Sequence, residues 1–474
     1  MKERKYIKDL SSFVGQEVVI AGWVDVRRDQ GKLVFMDLRD MTGKVQCVVL
    51  PNHTEAMEKV KEVRNEWVLK ITGLVNKRPD KNIKEEVLNG DIELEITNIE
   101  VLNKAITPQF DVTTDGREIG EDRRLQYRYI DLRRPRLQKN IRNRHKMAKF
   151  VRDFLDKENF IEIETPILTK STPEGARDFI VPSRVYKGTF YALPQSPQQY
   201  KQLLMSAGME RYFQLARCMR DEDSRGDRQP EFTQLDMEMS FVDREDVMDV
   251  NERLLIAMVK ELYPHKKIQQ IPFPKITYKD AMEKYGNDRP DIRENKEDPD
   301  LLAFCWVIDF PFFERTDKSD NPNTEGEWTF THNPFSGPVK EHKGWLMEGK
   351  NIGEILTTQY DIILNGFEIG GGSIRAHEPD MLKKVLEIIG HKEDDINHNF
   401  GHMLGALGSG TPPHGGIAWG FDRVLMLLEN EPNIREVITF PKTGEAKDLM
   451  MESPSEVSAK QLKELSIEII KPKK

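Results

Sequence analysis

The chain has 474 residues, more than one ordinary hydrophobic core accommodates, so two or three domains are expected. With 38% hydrophobic and 32% charged residues it has the composition of a globular enzyme, and a net charge of −9 argues against a protein that coats nucleic acid indiscriminately. Three widely spaced cysteines suit neither a disulfide framework nor a zinc site; with no signal-peptide pattern and no membrane-length apolar run, a cytoplasmic protein is expected.

Residues 1–105 read as a small all-β module, with strands expected over Glu17–Val26, Lys32–Arg39, Lys44–Leu50, Trp67–Val75 and Asp91–Ile96. Gly31, Thr42-Gly43 and Asn89-Gly90 supply turns, and Thr54–Val63 reads as a helix. Five short strands with one helical interruption predict an OB-fold β-barrel. In the second strand Val34, Met36 and Leu38 share one face, which leaves Phe35 beside Asp37 and Arg39, a platform for an unpaired base. Residues 106–140 read as an arginine-rich linker. Between Arg123 and Arg152 twelve Lys or Arg meet a single acid, Asp131, and such a run favours contact with nucleic acid. From Ile141 the stripe Met147, Phe150, Val151 and Phe154 opens a second domain. It is expected to run over 141–450 around an antiparallel sheet flanked by helices, with 451–474 as a C-terminal extension. The fold class expected is α+β.

Four stretches of that domain carry chemistry. Over Ser196–Ala207, Tyr200, Leu203, Leu204 and Ala207 form an apolar helical stripe closed by Gly208, leaving Gln198 and Lys201 to face a pocket. In Thr233–Phe241 the residues alternate: Leu235, Met237, Met239 and Phe241 lie on one face, Gln234, Asp236, Glu238 and Ser240 on the other. A mixed-charge loop precedes that strand, with Arg220, Asp221, Glu222 and Asp223 followed by Arg225, Arg228, Gln229 and Phe232; an arginine fork there can grip phosphate. Asn365-Gly366 marks a two-residue hairpin that pairs Leu364 with Phe367 and Ile363 with Glu368. Asp361 and Glu368 then become diagonal neighbours, roughly 7–8 Å apart at Cα, a separation that suits two hard ligands of Mg²⁺. Gly370, Gly371 and Gly372 follow and imply close backbone approach. Finally, Gly415–Arg423 runs into an apolar helix with Arg423 in its first turn, where free N–H groups favour anions.

Three stretches of the chain, in order, resemble the motifs of class II aminoacyl-tRNA synthetases: FIEIETPIL around Pro166, the run from Phe213 to Phe241, and GGIAWGFDRVLMLL around Arg423. LPQSPQQYKQLL is similar to a segment of the aspartyl members, and YRYIDLRRPRLQ and TFPKTGEAKDLMMESPSEV resemble the bacterial type. The resemblance implies ATP as substrate, bound by Arg220, Asp221, Glu222, Gln229, Phe232, Glu368, Gly420, Phe421, Asp422 and Arg423, with Arg220 and Arg423 as the catalytic arginines. It implies Mg²⁺ on Asp361 and Glu368. For L-aspartate it implies Lys201 and Arg375 on the β-carboxylate, Asp236 holding both cations, Glu174 and Gln198 on the amino group and backbone, and His332 closing the pocket. Arg220 is shared with the aspartate carboxylate. In the barrel, Arg28, Gln30, Phe35, Gln46, Arg78 and Glu93 match anticodon-reading positions. Expected partners are tRNA(Asp), in a relaxed enzyme also tRNA(Asn), and a second copy of the chain docked through the Pro166 segment. Gln30 is neither the apolar residue of strict enzymes nor the histidine of relaxed ones, so both behaviours stay open. A tRNA-independent asparagine synthetase shares the catalytic fold but lacks such a barrel. Bacterial members carry an extra domain between the second and third motifs, and here 286–300 passes straight across.

Overall fold

Alternating apolar residues close the N-terminal strands around an apolar centre. The computed structural model describes residues 3–171, 175–316 and 326–470. Its barrel comprises β1 (Glu17–Asp29), β2 (Val34–Asp40), β3 (Gly43–Val49), α1 (Thr54–Glu62), β4 (Val68–Lys77) and β5 (Ile92–Asn103). It is closed in the order β1-β2-β3-β5-β4, with only β3 and β5 parallel. Val34, Met36 and Leu38 point inward beside Ile20, Val45 and Ile71. β1 is longer than expected because its first half pairs with β4 and its second half with β2, with a register shift between Val24 and Val26 at the changeover.

Two compact units emerge, Met1–Gly120 with Tyr129–Pro135, and Glu121–Arg128 with Arg136–Lys474. Helix α2 (Pro135–Lys157) begins inside the segment read as a linker. Proline suits that first position, because an N–H there has no intrahelical acceptor. Several arginines of the basic run are internal staples rather than a surface for nucleic acid. In the second unit buried Arg124 grips Glu436 through both nitrogens at 3.0 and 2.7 Å. Arg128 donates to the carbonyls of Arg435, Ile438 and Thr439 at 2.9–3.0 Å, and Arg136 pairs with Glu431 and Glu436. In the first unit Arg134 is fully buried on Asp131 at 2.7 Å. A charge count cannot foresee the pairings of Arg124 and Arg136, since the acids that receive them lie some 300 positions away in sequence.

The second unit is built on an eight-stranded sheet. Its elements are β6 (Ile161–Glu162), α3 (Gln198–Ser206), β7 (Arg211–Met219), β8 (Glu231–Ser240), α4 (Arg244–Leu262), β9 (Lys275–Thr277), β10 (Phe304–Ile308), β11 (Tyr360–Leu364), β12 (Phe367–Ile374), α5 (Pro379–Ile388), α6 (Glu393–Leu407), β13 (His414–Gly420) and α7 (Phe421–Leu428). The strand order is β9-β10-β11-β12-β13-β8-β7-β6, antiparallel except for the edge pairs β9·β10 and β6·β7. Leu235, Met237, Met239, Ile417 and Trp419 share one core with Leu254 and Met258 of α4 and Leu425 of α7. Phe241 does not join them. Its left-handed backbone (φ 59°) takes it off the strand, and it is 67% exposed. Helix α3 also departs from expectation, since Lys201, Gln202 and Met205 are buried while Tyr200, Leu203 and Leu204 are only partly so. The buried side of this helix faces the polar side of β8, so its polar residues occupy the interior.

Candidate active site

The polar face of β8 is as buried as its apolar face, with Gln234 and Ser240 under a tenth exposed and Asp236 and Glu238 at 0%. Strand register explains what these side chains look onto. Asp236 pairs with Ala418, Ala418 with Gly371, and Gly371 with Asp361. In the next row Glu238 pairs with Gly416 and Gly416 with Ser373. Two acids thus lie three strands apart, roughly 14 Å at the usual spacing, with almost bare backbone between them. The glycines are sterically required. A β-carbon at Gly416 would strike the Met237 carbonyl and the Glu238 carboxylate, and one at Gly372 the Gly416 carbonyl.

At one end sits a buried charge quartet. Lys201 Nζ lies 2.7 Å from Asp236 Oδ1 and 3.3 Å from Glu238 Oε2. Arg375 donates to both Glu238 oxygens at 2.8 and 3.0 Å, to Ser373 Oγ at 2.9 Å and to the Gly416 carbonyl at 3.3 Å. The counter-ion of Arg375 is therefore Glu238, not Asp236 as expected. Glu238 escaped sequence reading although it follows Asp236 on the same face; two acids on a buried strand face were the available signal. Burial pushes the Glu238 carboxyl up, but Arg375 and Lys201 outweigh it and hold its pKa at about 2. Burial raises Asp236 above its ordinary value despite Lys201. Gln198 is half-buried nearby in sequence and has a buried amide nitrogen without a hydrogen-bond partner. Glu174 lies outside the described residues.

At the other end the hairpin forms as expected. Asn365 and Gly366 both take positive φ (51° and 84°), Leu364 pairs with Phe367, and Ile363 with Glu368. A register shift between Ile362 and Ile363 follows, so Asp361 stands opposite Gly371, three residues from Glu368, and the two acids are not the regular diagonal pair expected from the turn. Asp361 is buried, with Oδ1 accepting from Gln359 Nε2 at 2.7 Å and Oδ2 lying 3.4 Å from His332 Nε2. Burial, reinforced by Asp361, raises the Glu368 pKa. His332 was expected over the aspartate pocket, yet the structure sets it against Asp361 and the edge of the Phe310 ring. Burial opposes its charge, but the two carboxylates prevail and raise its pKa. Among the described residues no group of three or more His, Cys, Asp or Glu could enclose a metal. Two carboxylate ligands are what Mg²⁺ commonly takes from protein when phosphates supply the rest, so Asp361 and Glu368 fit it as a donor set.

A cleft open to solvent meets the row at Ala418 and is lined by Arg220, Glu222, Gln229, Phe232, Glu368, Gly420, Asp422 and Arg423. The Arg220 guanidinium lies 5.2 Å from the Phe232 ring centre and Nε is 3.4 Å from the Gln195 carbonyl. Arg423 reaches back to the Glu368 carbonyl and to Asp227 Oδ2 at 3.1 Å. Other expected nucleotide contacts are committed elsewhere. Gln229 exchanges two hydrogen bonds with the Lys442 backbone. Phe421 is core, and Asp422 accepts from the Thr233 N–H at 2.9 Å while pairing with Arg144. Asp221 is exposed and bridges to the Arg177 backbone, and Glu222 lies 3.6 Å from Arg228.

In the barrel, Arg28 pairs with Phe35 in register and reaches Asp37 at 3.1 Å. Asp37 lies opposite Gln46, whose amide donates to Glu93 at 3.4 Å. Arg78 donates to the Ile92 carbonyl at 2.8 Å, and Gln30 is exposed in the β1–β2 turn. Phe35 is partly exposed on this outer face.

The arrangement coincides with sequence-family matches. Residues 120–444 match the family described as tRNA synthetases class II (D, K and N), and residues 18–102 the OB-fold nucleic acid binding domain. The chain belongs to that class II tRNA synthetase family. Among its relatives, an aspartate–tRNA ligase of Geobacillus kaustophilus is 40% identical over 97% of both chains, and an aspartate–tRNA(Asp/Asn) ligase of Natranaerobius thermophilus is 39% identical over 99% of this chain and 100% of the other. The first alignment spans 585 positions, so that relative carries residues this 474-residue chain lacks. The fold matches asparaginyl-tRNA synthetase from Pyrococcus horikoshii (TM-score 0.73, 24% identity, 94% of this chain and 99% of that one). It also matches an aspartyl-tRNA synthetase from Entamoeba histolytica (TM-score 0.71, 23% identity, 92% and 91%). All three cysteines are free and buried, and among the described residues no helix is long and apolar enough to cross a membrane.

Proposed function

We propose that the protein ligates L-aspartate to tRNA(Asp) through an aspartyl-adenylate, releasing AMP and pyrophosphate. The observation that carries the choice of amino acid is the buried pairing of Lys201 and Arg375 with Asp236 and Glu238 at one end of the bare row. Each cation already has a counter-ion, so asparagine is not rejected because two charges would stand alone. It is rejected because its amide would present donors to the N–H groups of Lys201 and Arg375, leaving buried donors unmatched.

In the first step the substrate α-carboxylate attacks the α-phosphorus of ATP, forming an oxygen–phosphorus bond as pyrophosphate departs. Arg220, which lines the cleft, offsets charge on the α-phosphate, while Phe232 and Arg423 flank the base. Mg²⁺ on Asp361 and Glu368, when bound, neutralises charge on the polyphosphate. A terminal ribose hydroxyl of the tRNA then attacks the activated carbonyl carbon, and AMP leaves. The barrel face of Arg28, Gln30, Phe35, Gln46, Arg78 and Glu93 reads the anticodon. Exposed Ile161, Ile167, Leu168 and Ile180 around Pro166 suit burial against a second copy. The extra domain expected of bacterial members would fall at 286–300, where Gln269 donates to the Ile292 carbonyl at 3.0 Å and accepts from the Glu294 N–H at 2.9 Å. Three free thiols suit a reducing cytoplasm.

Arg220→Ala is expected to abolish aspartate-dependent ATP–pyrophosphate exchange with an unchanged circular dichroism spectrum; near-normal exchange would refute the assignment. A second reading, that tRNA(Asn) is charged as well, draws support from relatives named for both tRNAs, with Gln30 compatible with either. Charging purified tRNA(Asp) and tRNA(Asn) with labelled aspartate separates the two.

A further inference from the structure

The N-terminal half of α2 carries a polar stripe, Arg136, Asn140, Asn143 and Arg144, which gives way to buried Met147 and Val151. Arg136 and Asn140 meet Glu431, and Asn143 meets Glu429, all behind α7. Arg144 does something else. One nitrogen pairs with Asp422 Oδ1 at the start of α7, and the other donates to Thr233 Oγ1 of β8 at 3.0 Å. Asp422 closes the ring by accepting from the Thr233 N–H at 2.9 Å. The guanidinium also lies 5.1 Å from the Phe421 ring centre.

The two residues that Arg144 joins are each next in sequence to a group that faces the nucleotide cleft. Thr233 follows Phe232, and Asp422 precedes Arg423, yet Arg144 does not itself line that cleft. A planar fork holds two acceptors at a fixed separation, which an ammonium on a flexible stem cannot reproduce. We propose that Arg144 is a positioning residue that sets the spacing between Phe232 and Arg423, and with it the width of the slot that receives the adenine ring. The inference rests on the ATP reading given above.

Arg144→Lys keeps the charge but cannot serve Asp422 and Thr233 together, and Thr233→Val removes the hydroxyl at nearly constant volume. ATP binding by titration calorimetry, steady-state pyrophosphate exchange and thermal melting are measured on both. In Arg144→Lys the Kd and KM for ATP are expected to rise on the order of tenfold, and in Thr233→Val about threefold. The KM for aspartate and the melting temperature stay put. Asn143→Ala, which breaks only the bond to Glu429, leaves ATP affinity unchanged. A lowered melting temperature with ATP affinity intact, or equal losses for ATP and aspartate, overturns the positioning role. If Arg144→Lys does not fold, Thr233→Val decides alone. A wild-type chain that binds no ATP removes the reading and this inference together, whereas ATP binding that the two variants leave unaltered removes this inference only.

Discussion

The barrel strand β2 and the central strand β8 have the same alternating pattern, and the structure treats them in opposite ways. In β2 Val34, Met36 and Leu38 are buried, while Phe35, Asp37 and Arg39 remain partly accessible. In β8 the apolar set and the polar set are both buried. A sheet with one covered face can leave its polar residues to water; one covered on both faces must satisfy them internally. The Arg28–Asp37 pair of the barrel is half exposed, with the Arg28 side chain at 48%, so water can replace either partner. The quartet of β8 has every side chain at or below 2% and is set before any ligand arrives. Alternation therefore marks a strand, while buried polarity on that strand marks a site.

Breaking the buried side should have the largest effect. Glu238→Ala leaves Arg375 buried without its counter-ion, and one-sided loss of such a pair costs about 3–5 kcal/mol. A melting curve close to wild type would show that the quartet is not the rigid partner in this contrast. Ala418→Leu places a side chain on the bare row and is expected to end pyrophosphate exchange at a stability cost of about 1–3 kcal/mol; full exchange would mean substrates do not lie there. Acid sharpens the contrast next. Glu238 and Glu436 both fall from an ordinary 4.5 to about 2, in each case because arginine outweighs burial. Their stabilisation is complete above pH 4.5 and is lost as pH falls towards about 2. Asp236 works the other way, since its raised pKa lets it take up a proton sooner than in the unfolded chain. Urea midpoints between pH 5 and 3 should therefore fall, and a flat profile would contradict the pairing. In the barrel, Phe35→Ala should raise the KM for tRNA by the loss of one stacked base, about 1–3 kcal/mol, with pyrophosphate exchange unaffected. Smallest of all, Arg28→Ala should change stability by less than about 1 kcal/mol and only at low salt.

Much of this was readable in the chain because it is local. Period-two runs fixed the barrel strands to within a few residues at most ends, Asn365-Gly366 fixed the hairpin register, and Gly370–Gly372 announced the close approach seen across β12 and β13. What escaped depends on partners far away in sequence. The basic run reads as surface from sequence, but Glu431 and Glu436 lie beneath Arg124 and Arg136. In α3 Lys201 faces the polar strand as the stripe implies, but the stripe itself is only partly buried because the interior this helix covers is polar. Glu238 and His332 changed roles for the same reason, since the choice between two neighbouring acids, or two ends of a cleft, is made by packing across strands.

The row Asp236–Ala418–Gly371–Asp361 has one more consequence. Its shape is drawn by peptide groups locked in a hydrogen-bonded ladder, so no rotamer change can reshape it and no single conservative substitution can soften it. If the row holds the amino acid as proposed, re-aiming it towards another one means working on its walls, at Lys201 and Arg375 together with Asp236 and Glu238. Because those four neutralise one another, a successful redesign has to change them as a balanced set.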